Sequence, residues 1–409
     1  MTEKIFETAL GIVPPWYVAG VDLDAAARTL TIRIDFVAGS RFAVPGVGGA
    51  HPVHDTVTKQ LRHLNFFQHE CYLEVRVPRV KLPGGAVRQA EPDWVGHLSG
   101  FTLLFEALVL ALARQMTFTG VARLVNLSLH RVMAICSHYV EQAVAEADFS
   151  EVRSLAIDET ARARGHDYVT LAADAERRAV IFVTEGRGAE TIAALAADLQ
   201  AHGADPRAIE SVSIDMSPAF IKGVTAHLPN ARITFDKFHV VAHASTALDR
   251  MRRLEQKTDP DLKGLRWTLL KDRQHLSPAA RADLDAVASQ LTTKRTARAW
   301  AYREQLREIL NRKQINVVRL LLVQWCTNVM RSKVEPMKEV AKMIRRHLEG
   351  IVAWAQTRQT NGFLEALNGL FQAAKRKARG YGRIATIRTV IFLLAGKLDF
   401  SKLNPHVAR

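Results

Sequence analysis

Two periods of apolar residues divide the chain. Up to residue 97 apolar and polar positions alternate, most clearly over Leu30–Phe36 and Cys71–Val77, among turn formers such as Pro45, Gly46, Gly48, Gly49, Pro83, Gly84 and Gly85. A period of two puts alternate side chains on one face of a pleated strand, so this stretch is expected to be a small β-rich module. From Phe101 the spacing lengthens: Phe101, Leu104, Phe105, Leu108 and Leu112 recur at intervals of three and four, as on one face of a helix. Two shorter helical segments follow, Thr119–Leu124 and Ser128–Val140, separated by Val125, Asn126 and Leu127, with Ser128 suited to cap the second. This is helix-turn-helix spacing, although any two helices joined by a short loop share it.

Between Val152 and Phe235 the pattern predicts strands near Val152–Ile157, Tyr168–Ala173 and Ala179–Thr184, a helix over Ala189–Ala201, a strand at Val212–Ile214, a helix over Pro218–Leu228 and a strand at Arg232–Phe235. Three strands followed by alternation imply an α/β layer. The turn Asp174–Arg178 would join the second and third strands as a hairpin, and Ser217 with Pro218 provides a cap and a first-turn proline. From Val240 to Ala355 only helices are expected. Ser277-Pro278 opens one with Leu284, Val287 and Leu291 on a face, and Pro336 opens another with Met337, Val340, Ala341 and Ile344. That block reads as an all-helical insertion in an α/β domain. The expected segments are thus 1–97, 98–148, 149–239, 240–355 and 356–409.

Composition adds a partner. The chain has 409 residues, 56 Lys and Arg against 41 Asp and Glu, and a net charge of +15, which favours a polyanion, nucleic acid before an anionic membrane surface. No apolar run approaches the roughly 18 residues of a membrane span; Glu106 and Arg114 interrupt Leu103–Met116, and Arg319 interrupts Val317–Val323. The start, MTEKIFETALGIVPPW, lacks the features of a secretory signal, so a cytoplasmic, DNA-associated protein is expected. Cys71, Cys136 and Cys326 are too dispersed for a disulfide framework or an all-cysteine zinc site and are expected to be buried. With DNA as partner, a helix-turn-helix would bring Ser128, His130 and Arg131 to base edges and Arg123 to a phosphate.

The candidate chemistry lies in three acids. Asp158 in SLAIDET and Asp215 in SVSIDMS each follow a short apolar run, so each is expected at a strand's end, and Glu365 in TNGFLEALNG is expected on a helix. A lone Asp after a strand is more often a turn former or cap. Two on neighbouring strands repel, and one is driven protonated unless a cation lies between them. Oxygen ligands of this kind suit Mg²⁺ or Mn²⁺ and in-line phosphoryl transfer with two ions. Glu159, Asp236 and His239 are candidate neighbours, although a His on an apolar face is more often a hydrogen-bonded core residue. On the helix after Asn361, Glu365 and Asn368 share a flank, and Lys375, Arg376, Lys377, Arg379 and Arg383 concentrate charge beyond it, suited to phosphates or to the helix dipole.

In combination and order, AIDET, SIDMSPAF, TFDKFHVVAHA and TNGFLEALN followed by KRKARGYG resemble the DDE transposases of bacterial insertion sequences, the group with an N-terminal zinc ribbon, a helix-turn-helix and an RNase H-like catalytic domain with a helical insertion. The resemblance covers nearly the whole chain. LRHLNFFQHECYLEVRVPRV and GAVRQ are weaker concordant marks. It implies that Asp158, Asp215 and Glu365 bind metal and catalyse cleavage and strand transfer, and that the chain acts on terminal inverted repeats and target DNA as a homo-oligomer. It also implies accessory DNA contacts at Arg266 and Trp267, although Trp267 is expected first in helix packing. One departure stands out: where relatives carry zinc ligands, this chain has Val44, Val47, Leu82 and Gly85, so no zinc is expected and the ribbon would rest on apolar contacts. The rival readings are a non-catalytic regulator derived from a transposase and a structure-specific nuclease of the same fold.

Overall fold

A computed structural model describes residues 2–162, 167–291, 294–357 and 362–407. The chain forms two compact units. The first comprises Met1–Ala145, Arg376–Leu393 and Leu398–Arg409; the second comprises Glu146–Lys375 and Leu394–Lys397. Among the described residues, no helix is long and apolar enough to cross a membrane.

In the first unit, β1 (Trp16–Asp24), β2 (Thr29–Phe36), β3 (Arg41–Val44), β4 (Val47–Phe66), β5 (His69–Lys81) and β6 (Val87–Gln89) form a six-stranded sheet in the order β1-β2-β5-β4-β3, with β6 on β5. The alternation read at Leu30–Phe36 and Cys71–Val77 corresponds to β2 and β5. Leu30, Ile32, Ile34, Cys71, Leu73, Val75 and Val77 pack into one core, joined by Val18 and Leu61. A second cluster holds Phe36, Phe42, Val44, Val80, Leu82 and Ala90, with Val47 against it. Two of the four positions read as vacated zinc ligands are therefore core residues and a third packs on them, whereas Gly85 serves a turn at φ +81°. All three cysteines are buried free thiols.

The helices Leu103–Ala113, Phe118–Leu124 and Leu129–Ala145 follow, as the lengthened period predicts. Thr102 and Thr117 cap the first two, and Asn126 turns the chain at φ +52°. Buried Glu106 accepts from Tyr139 Oη at 2.6 Å and from the His97 and Leu98 amides. Asn404 completes this buried network, donating to Leu103 O and Tyr139 Oη.

The second unit holds a five-stranded sheet of β7 (Ser154–Ala161), β8 (Tyr168–Asp174), β9 (Ala179–Glu185), β10 (Ser211–Ile214) and β11 (Arg232–Phe235), in the order β11-β10-β7-β8-β9. β10 runs parallel to both β7 and β11, and β8 runs antiparallel to β7 and β9. Asp174 accepts the Glu176 and Arg177 amides in the expected hairpin turn. Helices then run from Lys237–Glu255 to Leu348–Thr357 without a strand among the described residues. Leu155, Ile157, Val212, Ile214 and Phe235 of the sheet share one apolar core with Leu306, Leu322, Trp325, Ile344 and Ile351 of this helical block. The helical block thus supplies part of the core of the α/β layer. One expectation fails here: the helix Pro278–Ala288 closes at Ser289, so Leu291 lies outside its apolar face and is exposed.

Candidate active site

Strand register brings the first two acids together. β10 pairs with β7 in parallel, Ser211 opposite Ser154 through Ser213 opposite Ala156; continued by one step that register sets Ile214 level with Ile157, and by two steps Asp215 level with Asp158. The expectation that Asp158 ends its strand is corrected. β7 continues to Ala161 because β8 keeps pairing with it, Asp158 opposite Leu171, after β10 has stopped. Asp158 thus stands at the lip of a crevice opened by the shorter parallel neighbour, the usual ligand position of an open α/β sheet. Asp215 accepts the Ser217 amide at 2.9 Å and turns the chain into the helix Pro218–His227; Ser217 holds the cap position without a side-chain cap bond.

The third acid comes from the helix Gly362–Lys377; Asn361, which the sequence motif includes, lies outside the described residues. Asn368 donates to Asp158 Oδ2 at 2.8 Å, while the Glu159 amide donates to Oδ1 at 2.8 Å. Gln372 donates to Thr160 Oγ1 and Ala161 O, and Lys375 donates to Ala161 O at 2.9 Å. Residues 368, 372 and 375 recur at helical spacing, so this polar stripe lies along β7. Its helical spacing is legible in the sequence; that it faces β7 is not. Lys375, expected on DNA phosphates, gives one of its three donors to this carbonyl. Glu365, one turn before Asn368, is exposed, with Oε1 4.0 Å from His239 Nε2.

His239 stands in the first turn of the helix Lys237–Glu255, which Asp236 caps by accepting the Phe238 amide at 2.8 Å. Asp236 is therefore a buried helix cap. Among the described residues His239 Nε2 and Asn368 Oδ1 are buried side-chain atoms without hydrogen-bond partners. The sequence reading missed His243, one turn beyond His239. Burial lowers the His243 pKa, His239 adds to the effect and Asp215 opposes it. Trp267, expected in helix packing, is instead 60% exposed, with the Arg266 guanidinium 4.9 Å over its ring.

The electrostatics follow from this crowding. Burial pushes Asp158 up to about 6; the Glu159 amide and His239 oppose the shift, and Asp215 and Glu365 reinforce it. Glu159 is raised by burial and by Asp215 against the pull of Arg187. A half-desolvated carboxylate repelled by two others is stabilised by a cation, and the all-oxygen donors suit a hard divalent one. Among the described residues no group of three or more His, Cys, Asp or Glu side chains is already gathered tightly enough to hold a metal ion. The three acids interact without forming a closed coordination shell.

The first unit presents a separate surface. Arg123, Ser128, His130 and Arg131 are exposed at the turn and first turn of the helix Leu129–Ala145. Ser128 Oγ accepts the Arg131 amide at 3.4 Å. The Arg131 side chain is anchored 4.1 Å over the Phe101 ring and donates to Ser99 O, so it braces this helix as well as facing solvent. A cleft of about 510 Å³ places His130 and Leu129 beside Gly380, Tyr381, Gly382 and Arg383. Arg376 and Lys377 are exposed in the same unit.

Comparison with known proteins bears on both units. Residues 155–391 match a family model described as transposase, that of the DDE transposases of family ISL3, and residues 90–140 match the helix-turn-helix domain of transposase family ISL3. The transposase for insertion sequence element IS1001 of Bordetella parapertussis is 28% identical over 365 residues, covering 87% of this chain and 88% of its own length. The transposase for insertion sequence element IS1557 of Mycobacterium tuberculosis is 28% identical over 369 residues, covering 83% of this chain and 82% of its own. DDE transposases use divalent metal, in keeping with the oxygen donors at the crevice. The transposase match spans more than half of the chain and contains Asp158, Asp215 and Glu365, so the chain belongs to the ISL3 family of DDE transposases, enzymes that cut DNA and transfer the cut strands.

Proposed function

We propose that Asp158, Asp215 and Glu365 are the catalytic acids of this transposase and hold Mg²⁺, with Mn²⁺ as the alternative. The observation that carries the reading is the register of β7 and β10, which sets Asp158 and Asp215 level, together with the Asn368 bond that ties the Glu365 helix to Asp158. The strand order, with only β8 reversed, supports an RNase H-like catalytic domain. Bound divalent ions would activate a water or a 3′-hydroxyl and steady the leaving oxygen of an in-line displacement. The protein's own part is to hold the acids. Asn368 and the Glu159 amide fix both oxygens of Asp158, and His239 Nε2, which has no hydrogen-bond partner among the described residues and lies 4.0 Å from Glu365 Oε1, would hold a water or a phosphate oxygen.

The first unit would recognise the terminal inverted repeats through Ser128, His130, Arg131 and Arg123, with Arg376 and Lys377 on phosphates. Arg266 and the exposed Trp267 would meet flanking DNA, by stacking on an unpaired base. The sheet of residues 1–97 is read as a zinc-ribbon relative whose metal has given way to the cluster around Val44 and Leu82. Two element ends must be held at once, so the working form is a homo-oligomer.

The test uses the full chain on a duplex bearing the terminal repeat. D158N, D215N and E365Q should each lower cleavage and strand joining by about 100- to 1,000-fold, with binding to the repeat unchanged. A variant of this set that cuts at the wild-type rate removes that residue from the catalytic set.

A further inference from the structure

The hairpin joining β4 to β5 ends in a two-residue turn, Phe67–Gln68, with Phe66 opposite His69. Phe67 is 81% exposed, more than any other large apolar side chain among the described residues. Its backbone lies at φ +51°, a region that Gly, Asn or Asp fill readily and a bulky residue seldom does. Nothing about making the turn calls for Phe here. The ring is also held outward: it meets Phe66 edge-on at 4.8 Å, and Phe66 rests on Phe6 at 5.7 Å.

The position of this tip is fixed. Glu70, beside the turn, accepts from Asn126 Nδ2 at 2.6 Å and from Tyr72 Oη at 2.9 Å, with Arg62 at 3.8 Å. Asn126 is the left-handed residue between the two helices of the helix-turn-helix, two positions before Ser128. Phe67 and Glu70 are three positions apart, so the aromatic tip lies within about 10 Å of backbone reach from that anchor. In a helix-turn-helix the first turn of the second helix enters the major groove, which brings the preceding turn close to the duplex. The hairpin is thus tied by a hydrogen bond to the turn between the two helices and carries an exposed apolar side chain.

We propose that the Phe66–Phe67 tip is a second DNA-contacting element, a wedge whose Phe67 ring inserts between base pairs flanking the segment read by the helix Leu129–Ala145. The proposal rests on the helix-turn-helix being the reader of the terminal repeat. Apolar side chains that enter a base step from the minor groove part the stack and kink the duplex. Such a wedge adds affinity and, because pyrimidine–purine steps unstack most readily, adds sequence preference at a position no polar side chain touches. The continuity of the tip with the helix-turn-helix favours duplex DNA over a second copy of this chain as its occupant.

The experiment places 2-aminopurine at successive steps of a terminal-repeat duplex, outside the stretch covered by the helix-turn-helix, and titrates it with the full chain. Wild-type protein should raise the fluorescence severalfold at one flanking step. F67A should abolish that rise and weaken binding by about 10-fold, whereas F67L, still an apolar wedge, should keep most of both. R123A distinguishes the two claims: it should weaken binding yet leave the rise intact at saturation. A full rise in the F67A complex overturns the wedge. So does an F67A variant that binds and unstacks DNA normally but no longer self-associates, which would assign the tip to a second copy. Unchanged binding in R123A and in H130A would instead overturn the underlying helix-turn-helix reading.

Discussion

Asn368 shows how a neutral side chain determines what an acid can do. Its amide holds Asp158 Oδ2, so N368A should leave that carboxylate held by the Glu159 amide alone and less well placed for a metal ion. Groups that orient metal ligands typically account for 10- to 100-fold in activity, about the loss expected in cleavage rate for N368A, with repeat binding unchanged in a gel-shift assay. Asp158 and Asp215 were legible in the sequence because each follows the same apolar-apolar step, and parallel register then aligns them. The hydrogen bond across 210 positions to Asn368 was not, since only tertiary packing decides which helix face meets β7. A second residue-scale prediction concerns His63, whose Nδ1 lies 2.9 Å from Thr102 Oγ1. Burial holds its pKa down at about 4 from an ordinary 6.5, with the charges of Arg62 and His406 adding to the effect. Between those values the unfolded chain takes up a proton that the folded chain refuses. Stability is therefore intact above pH 6.5 and falls as the pH drops toward 4, by up to about 3 kcal/mol. Thermal melts from pH 7 to 4 should show a steeper decline for wild type than for H63Q.

At the scale of elements, Val44 and Leu82, two of the positions compared with zinc ligands, are core residues of an apolar cluster. Leu82 is 9% exposed among Phe36, Phe42, Val44 and Val80, so L82A should cost about 2–4 kcal/mol, seen as a lowered melting point of the first unit. Treating the protein with a chelator should leave that melting point unchanged. The helix Leu348–Thr357 shows the opposite limit, space that cannot be filled. A Cβ at Gly350 would lie 2.5 Å from the Phe235 ring on edge strand β11, so G350A should cost about 1–3 kcal/mol in chemical denaturation. β2 and β5 were legible because one face of each is buried and the residues alternate. β4 was not, although it is the longest strand among the described residues: much of Val47–Phe66 is half exposed, and Thr, Lys, Gln, Arg and His leave no clean period. Trp267 misled in the other direction, because an aromatic residue on a short helix reads as packing until the fold leaves it in solvent.

For the whole molecule, the charge of +15 favours DNA, and the number of phosphates that its Lys and Arg neutralise sets how binding responds to salt. Neutralising several phosphates releases counterions, so affinity for any duplex should fall as a steep power of salt concentration; replacing both Arg376 and Lys377 with Ala should reduce the log–log slope by about 2. That basic character was legible from composition, but the partition of the C-terminal stretch between the units was not. It depends on contacts such as those of Asn404 with Leu103 and Tyr139, 301 and 265 positions away. The first unit leaves off at Ala145 and resumes only at Arg376, with Asn404 near its close. On the ribosome, the part that finds DNA therefore stays unfinished until the part that cuts it has been made. A product of interrupted translation would keep the Glu106–Tyr139 bond but lack the Asn404 bonds to Leu103 O and Tyr139 Oη that close the buried network around it.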